Sequence, residues 1–118
     1  MGVSRKVNQE SLSWFIEPEN SLRFKRLITR ESDSSNLSAT LVEIDGKHQE
    51  LKTEVSCRIY LIINGIFEFT INSNDEFMAK TGDLVFINIG DNYFLVGKGS
   101  YIVFNGPAFA DGDDIYRN

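Results

Sequence analysis

The chain has 118 residues, of which 42% are hydrophobic and 12% aromatic, so it can fill one core and has no room for a second domain. Its 17 acidic residues outnumber the 12 basic ones, and the net charge of −5 argues against nucleic acid or an anionic membrane surface as a partner. The single cysteine, Cys57, excludes an intrachain disulfide and two-cysteine zinc motifs. Without a signal segment or an apolar stretch near the ~20 residues of a membrane helix, the sequence predicts a cytoplasmic protein.

Residues 1–21 are predicted to form an N-terminal arm. Residues 1–11 are polar and mixed in charge, so they offer little to bury. Trp14-Phe15-Ile16 is the first apolar cluster, and it ends at Glu17-Pro18, where the proline biases the residue before it toward extended geometry. The arm can therefore include a short strand that packs on the rest of the domain or on a second subunit.

Residues 22–109 are predicted to form an all-β domain. About eight short β-rich runs are separated by turn signals at roughly eight-to-twelve-residue spacing, which is typical of a sandwich, a jelly roll or a small barrel. Asp45-Gly46 is predicted to close one strand, and residues 48–54 are predicted to form a loop. Residues 93–96 and 101–104 are predicted to be separate strands joined by a Gly-Lys-Gly turn.

The central element of this domain is the stretch from Arg58 to Ile71. Two runs rich in Ile, Phe and Tyr flank Asn64-Gly65, the dipeptide that best tolerates positive φ at both central positions of a tight turn. The sequence therefore predicts a β-hairpin that turns at Asn64-Gly65. It also predicts no helix longer than about three turns between Leu22 and Phe104.

Residues 110–118 are predicted to form an exposed acidic tail. Asp111, Asp113 and Asp114 are close enough in sequence to suggest calcium, but the segment lacks the length and the closing Glu of a calcium-binding loop. A solvated tail is therefore the favoured interpretation.

The sequence resembles the cupin family in the spacing of two motifs. In the second cupin motif a Gly is followed by five residues, Pro, one residue, Gly, two residues and His; here Gly82 is followed at the same spacing by Asn88-Ile89-Gly90 and Tyr93. The first motif ends with a carboxylate seven residues before a glycine, and the residue seven before Gly65 is Arg58. The resemblance covers residues 37–109 and implies a single cupin-like jelly-roll β-barrel, or double-stranded β-helix.

The same resemblance argues against the usual cupin metal. A divalent metal in this fold needs two or three imidazoles and a carboxylate converging on one point, and His48 is the only histidine. We therefore expect no metal and no cofactor. His48 lies in a polar segment, where a surface histidine is favoured over a catalytic base and over a metal ligand paired with Glu50 or Glu54.

Arg58, Tyr60 and Tyr93 are the candidate ligand-binding residues. Strand alternation puts Arg58 on the same face as Tyr60. If that face lines the barrel, the buried guanidinium requires a carboxylate partner or an anionic ligand. Otherwise Arg58 lies near the barrel mouth, bonded to solvent, to Glu68 or to Asp91. Tyr60 and Tyr93 either donate hydrogen bonds to a ligand or fill the space of the missing metal.

Three functions stay open on these residues. The favoured one is a non-metal cupin-like protein that binds a small molecule in its barrel, such as a sugar or a small carboxylate. The first alternative is a metal-independent sugar isomerase or epimerase that uses His48, Tyr60 or Tyr93 as acid and base. The second is a plugged barrel that acts only as an interaction or structural module, and an open cavity with convergent polar groups would argue against it. The cluster Trp14-Phe15-Ile16 also favours a homodimer.

Overall fold

The computed structural model describes residues 2–116, which form nine β-strands and two 3-10 helices of three residues each, Gln9–Ser11 and Pro18–Asn20. The strands are β1 (Phe15–Glu17), β2 (Leu22–Ile28), β3 (Ser38–Lys47), β4 (Leu51–Thr53), β5 (Cys57–Ile71), β6 (Asp75–Lys80), β7 (Leu84–Ile87), β8 (Asn92–Gly106) and β9 (Asp114–Tyr116). The all-β class is confirmed, and so is the absence of a long helix between Leu22 and Phe104. No helix within the described residues is long and apolar enough to cross a membrane.

The strands form one curled antiparallel sheet around the two 15-residue strands β5 and β8. These two strands pair with each other from Cys57 to Ile71. β3 and β4 pair with the other edge of β8, while β6 and β7 pair with successive parts of β5. Curling closes the sheet into the predicted jelly-roll barrel, whose inner face holds one hydrophobic core.

The predicted hairpin at Asn64-Gly65 is wrong, because β5 runs through this dipeptide as one strand. Gly65 lies opposite Gly99 of β8, and both glycines have positive φ, +102° and +152°. The register between the two strands shifts between Ile62 and Asn64, as it does at a β-bulge. The positive φ of Gly65 and Gly99 does not form a turn. It bends β5 and β8 at the same place, so that the sheet can curl.

Three further expectations about strand ends are also wrong. The Gly-Lys-Gly segment lies inside β8 and is not a turn. Asp45-Gly46 does not end β3, since Gly46 pairs with Gly97 and the strand continues to Lys47. Residues 48–54 contain the short strand β4, in which Leu51 pairs with Tyr93. The length of β8 allows one strand to pair with β3 and then with β4.

The expectation of an exposed acidic tail is wrong for Asp113, which is buried, and for Asp114, which is half-buried. Asp113 is 2% exposed, and its Oδ1 accepts hydrogen bonds from the amides of Val55 at 2.8 Å and Ser56 at 3.1 Å. The next three residues form β9, which pairs with β4. Although burial by itself would raise the pKa of Asp113, the hydrogen bonds from Ser56 and Val55 outweigh burial and lower it. Residues 117 and 118 lie outside the described part of the chain.

The N-terminal arm lies against the outer face of β2. β1 pairs with β2, and the Lys25 ammonium donates to the Gln9 carbonyl oxygen at 2.9 Å. The Trp14 ring lies 4.0 Å from the guanidinium carbon of Arg23. The arm therefore satisfies a lysine that is only 6% exposed.

Candidate functional site

A cavity of about 110 Å³ lies inside one end of the barrel. Its polar lining comes from the inner faces of the strands and from the segments next to them: Glu17, Arg26, Thr40, His48, Arg58, Tyr60, Tyr101, Asn105, Asp114 and Tyr116. The rest of the barrel is packed with aromatic rings, in which Tyr60 meets Phe69 and Tyr101 edge-on at 5.4 and 5.0 Å between centroids. The barrel is therefore neither empty nor fully plugged.

His48 is buried at this cavity, so the favoured expectation of a surface histidine is wrong. Its amide donates to the Leu95 carbonyl oxygen at 2.9 Å, so pairing with β8 continues beyond the end of β3. The inward alternation of Val42 and Ile44 then carries through Gly46 to His48, which is 8% exposed. The polar residues around His48 obscured this pattern in the sequence.

The hydrogen bonding of His48 selects one tautomer. Nδ1 lies 2.8 Å from the carbonyl oxygen of Gln49, and because a carbonyl only accepts, Nδ1 must carry the proton. Nε2 has no hydrogen-bond partner among residues 2–116. Burial lowers the pKa of His48, so the neutral ring is favoured and Nε2 is free to accept a proton.

We expect His48 to titrate below its usual pKa of about 6.5 in the folded protein. Because the unfolded chain then binds a proton more readily than the folded chain, stability should fall as the pH drops below about 6.5 and should not depend on His48 above that pH. The measurement is the NMR shift of the His48 ring protons against pH, which is unambiguous in a chain with one histidine. The chain unfolded in urea is the control, and a folded midpoint at or above the urea value would contradict the prediction.

Arg58 is 5% exposed and lies at the centre of an ionic network. Nη1 donates to the Tyr93 hydroxyl oxygen at 3.0 Å, while Nη2 donates to the Asp114 carboxylate and lies 3.5 Å from Oδ2 of Asp113. Nε is buried without a partner among the described residues. The carboxylate that a buried Arg58 requires thus comes from the C-terminal segment, and not from Glu68 or Asp91.

The structure places the two candidate tyrosines in different positions. The hydroxyl oxygens of Tyr60 and Tyr93 are 2.6 Å apart, but only Tyr60 lines the cavity. Tyr93 is 0% exposed and lies behind, between Tyr60 and Arg58. Burial raises the pKa of both tyrosines, so both hydroxyls keep their protons at neutral pH.

Sequence reasoning missed seven polar residues of this site, which are Glu17, Arg26, Thr40, Tyr101, Asn105, Asp114 and Tyr116. Asp114 and Tyr116 lie in the predicted tail, and no local pattern shows that β9 returns to pair with β4. Tyr116 stacks on His48 with 6.1 Å between ring centroids. Asn105 carried a usable signal, since it continues the inward alternation of Tyr101 and Val103.

The residues present do not fit the usual metal of this fold. Within residues 2–116, no three His, Cys, Asp or Glu side chains are placed to hold a metal ion. The cavity offers one imidazole, and the carboxylate of Asp114 is already engaged by Arg58. That donor set falls short of the two or three imidazoles that such a site needs.

Comparison with known proteins identifies the fold. No protein-family model and no curated protein matches the sequence. A nucleoside dehydratase from Streptomyces matches with a TM-score of 0.85 at 18% identity, over 98% of this chain and 92% of that one. KdgF from Halomonas gives 0.81 at 17% identity over 92% and 98%, and an RmlC-like cupin from Shewanella frigidimarina gives 0.76 at 15% over 92% and 96%.

This chain has the cupin fold. Identities this low show the fold alone, so the structural matches confirm the cupin-like fold that the motif spacing predicted. The two residues at the matched ligand positions, Arg58 and Tyr93, do converge inside the cupin barrel. They form a hydrogen bond to each other there.

Proposed function

We propose that this cupin barrel is the active site of an acid–base enzyme that acts, without a metal, on a small neutral hydroxylated molecule such as a nucleoside or a sugar. The observation that carries the proposal is that a neutral, buried His48 and a protonated Tyr60 line the same cavity. His48 Nε2 serves as the general base, and the Tyr60 hydroxyl serves as the proton donor.

The charges around the cavity favour a neutral ligand over a carboxylate or a phosphate. The positive charge of Arg58 is balanced by Asp114 and Asp113. Glu17 adds a further carboxylate to the lining. Arg26 also lines the cavity, so the two cations and the two carboxylates of the lining balance and leave no net charge to attract an anion, whereas hydroxyl groups can donate to the carboxylate oxygens.

Tyr93 prepares Tyr60 for its role without touching the ligand. Arg58 donates to the Tyr93 oxygen, and in the proposed arrangement the Tyr93 O–H, strengthened as a donor, donates in turn to the Tyr60 oxygen 2.6 Å away. Tyr60 then keeps its own proton for a ligand in the cavity. The chain of hydrogen bonds from Arg58 through Tyr93 to Tyr60 thus carries the polarising effect of the buried guanidinium to the cavity.

Dehydration is the reaction that best fits these groups. His48 Nε2 takes a proton from a substrate carbon, the C–H electrons form a C=C bond, and the adjacent hydroxyl leaves with the Tyr60 proton as water. The proton on His48 then returns to the Tyr60 oxygen, which restores both groups. The Streptomyces nucleoside dehydratase with the same fold has been solved with uridine in forms that carry a substituted histidine or tyrosine, and this supports the proposal.

The volume of the cavity limits what can enter it. About 110 Å³ holds roughly four water molecules, whereas ligand pockets commonly measure about 300–1,000 Å³. The reacting part of a ligand fits, and a whole nucleoside requires the mouth to widen. Asp114 and Tyr116 of β9 border the cavity, so the mouth can widen only if these two side chains shift.

Screening by thermal shift and by NMR tests this function. Neutral nucleosides and sugars should raise the melting temperature, with about 2.7 kcal/mol of stabilisation at a hundredfold excess over Kd, while acetate and phosphate should not. In D₂O the stabilising compounds should lose water or exchange a carbon-bound proton. His48→Gln should slow that step by about 10²–10⁴-fold while the variant still binds the compound.

Each alternative has its own outcome in these experiments. Stabilisation without any change of the compound in D₂O would identify a binding protein. Proton exchange without loss of water would identify an isomerase or epimerase, and the absence of any stabilising compound would favour a module without a ligand. Glu68→Gln, on the exposed outer side of β5, is the matched control and should behave as the parent.

A further inference from the structure

Asn20 is a polar side chain that is buried behind the wall of the cavity. It is the last residue of the 3-10 helix Pro18–Asn20 and is only 1% exposed. Its hydrogen-bond partners are Glu17 in the N-terminal arm, Gln49 after β3 and Tyr116 in β9, of which the first and the last line the cavity. A polar group buried this deeply is stable only with partners. Asn20 therefore joins three separate segments of the chain at this wall.

The carboxamide of Asn20 has one orientation that satisfies its neighbours. Its Oδ1 accepts from the amide of Gln49 at 2.8 Å, and an amide N–H can only donate. Its Nδ2 donates to Oε2 of Glu17 at 2.5 Å and to the Tyr116 hydroxyl oxygen at 3.3 Å. Because a carboxylate can only accept, exchanging the two ends of the carboxamide would break the bonds to both Gln49 and Glu17. Neither an aspartate nor an apolar side chain can make this set of contacts.

The backbone around Asn20 holds the carboxamide in place. The Ser21 amide donates to the Pro18 carbonyl oxygen at 3.0 Å, and the Asp45 amide of β3 donates to the Ser21 carbonyl oxygen at 3.0 Å. Ser21 itself has the left-handed conformation, with a φ of 59°, that ends the short helix. The turn that carries Asn20 is thus attached to β3, the strand that leads to His48.

We propose that Asn20 is a positioning residue for His48, so that the N-terminal arm is part of the site. By accepting from the Gln49 amide, Asn20 fixes the residue whose carbonyl oxygen lies 2.8 Å from Nδ1 of His48. By donating to Tyr116, it fixes the ring that stacks on His48 with 6.1 Å between centroids. Nε2 is thereby kept as the unprotonated nitrogen. The use of Nε2 as a base rests on the proposed function, whereas the fixing of the tautomer does not.

A purely structural role for Asn20 would be to fasten the arm to the barrel, and Asn72 provides the matched comparison. Its Oδ1 accepts from the Asn92 amide at 3.0 Å, and its Nδ2 donates to Oδ1 of Asp91 at 3.1 Å. Asn72 thus has the same pair of bonds, to one backbone amide and one carboxylate. Neither it nor these two partners line the cavity. Loss of Asn72 should therefore affect stability and leave His48 unchanged.

The test is the pair of ring ¹⁵N NMR signals of His48, the only imidazole in the chain. In the parent at neutral pH, the protonated Nδ1 and the unprotonated Nε2 should give two widely separated signals. Asn20→Leu removes the carboxamide at similar size, and it should bring the two signals together because the ring then exchanges between tautomers. Asn72→Leu places a leucine at a positive φ of 52°, so it should lower the melting temperature and yet leave the signals separated.

Two further measurements do not depend on the folding of Asn20→Leu. Asn20→Asp combined with Glu17→Gln exchanges the carboxamide and the carboxylate, which keeps both the acceptor for the Gln49 amide and a hydrogen bond between positions 17 and 20. This double variant should show separated signals. In the parent, the Gln49 amide should be protected from hydrogen exchange, although no backbone carbonyl oxygen among residues 2–116 accepts from it.

Several results would overturn the proposal. They are separated signals in Asn20→Leu, merged signals in the parent, in Asn72→Leu or in the double variant, and an unprotected Gln49 amide. Where a compound is turned over, Asn20→Leu should lower kcat by about 10²-fold with little change in Kd, as expected for a base displaced by about 1 Å. The absence of turnover with every compound would contradict the proposed function alone, because the NMR signals report on Asn20 without a substrate.

Discussion

Replacing Arg58 with Met is expected to lower the free energy of unfolding by about 3–5 kcal/mol with no ligand present. The variant keeps much of the aliphatic stem but leaves the carboxylates of Asp113 and Asp114 beside an apolar group. Asp113 is 2% exposed, so water cannot replace the lost cation. A urea titration followed by circular dichroism measures the loss.

Two variants show whether the effect comes from the buried charge. Arg23→Met removes a pair with Glu43 in which both side chains are nearly half exposed, and it should cost less than about 1 kcal/mol. Arg58→Met combined with Asp114→Asn should recover part of the loss, because one of the unpaired carboxylates is gone. Equal losses for Arg58→Met and Arg23→Met would show that the network is solvated.

Replacing Gly99 with Ala is expected to destabilise the protein by more than about 4 kcal/mol or to prevent folding. A Cβ on Gly99 would overlap the carbonyl oxygen and carbon of Asn64 on the paired strand, and neither backbone atom can move without breaking the β5–β8 ladder. The φ of +152° adds strain for any residue with a Cβ. Soluble yield and thermal unfolding report the result.

Gly82→Ala is the matched control for that variant. Gly82 also has a positive φ, +93°, but a Cβ there meets nothing within 4 Å. Its cost should be only the backbone penalty, about 1–2 kcal/mol. If Gly99→Ala were no less stable than Gly82→Ala, the close approach of the β5 and β8 backbones at Gly99 would not be needed for the fold.

Arg58 links the stability of this protein to its proposed chemistry. Its guanidinium pairs with the last described strand on one side and with Tyr93 on the other, and Tyr93 contacts Tyr60 at the cavity. Loss of Arg58 should therefore loosen β9 and also remove the polarisation of Tyr60. Tyr93→Phe separates the two effects, because it breaks the path to Tyr60 and leaves the pair of Arg58 with Asp114 in place.

The sequence by itself determined the fold class and part of the site. Alternation along β5 was enough to put Arg58 and Tyr60 on one inward face, since side chains in a strand point to opposite sides with a period of two. The presence of a single histidine was enough to argue against the usual metal of the fold. The first inference succeeded because it depends only on residues close in sequence, and the absence of a metal stays a prediction.

Only the tertiary structure decided how the local signals are used. Asn64-Gly65 favours positive φ equally in a turn and in a bulge. It forms a bulge here because Gly65 pairs with Gly99, which lies 34 residues later in the chain. The burial of Asp113 depends on the amides of Val55 and Ser56, which lie 58 and 57 residues earlier in the chain. From the sequence alone, an aspartate near a terminus is expected to be exposed. Burying it costs free energy, and only hydrogen-bond donors that are distant in sequence offset that cost.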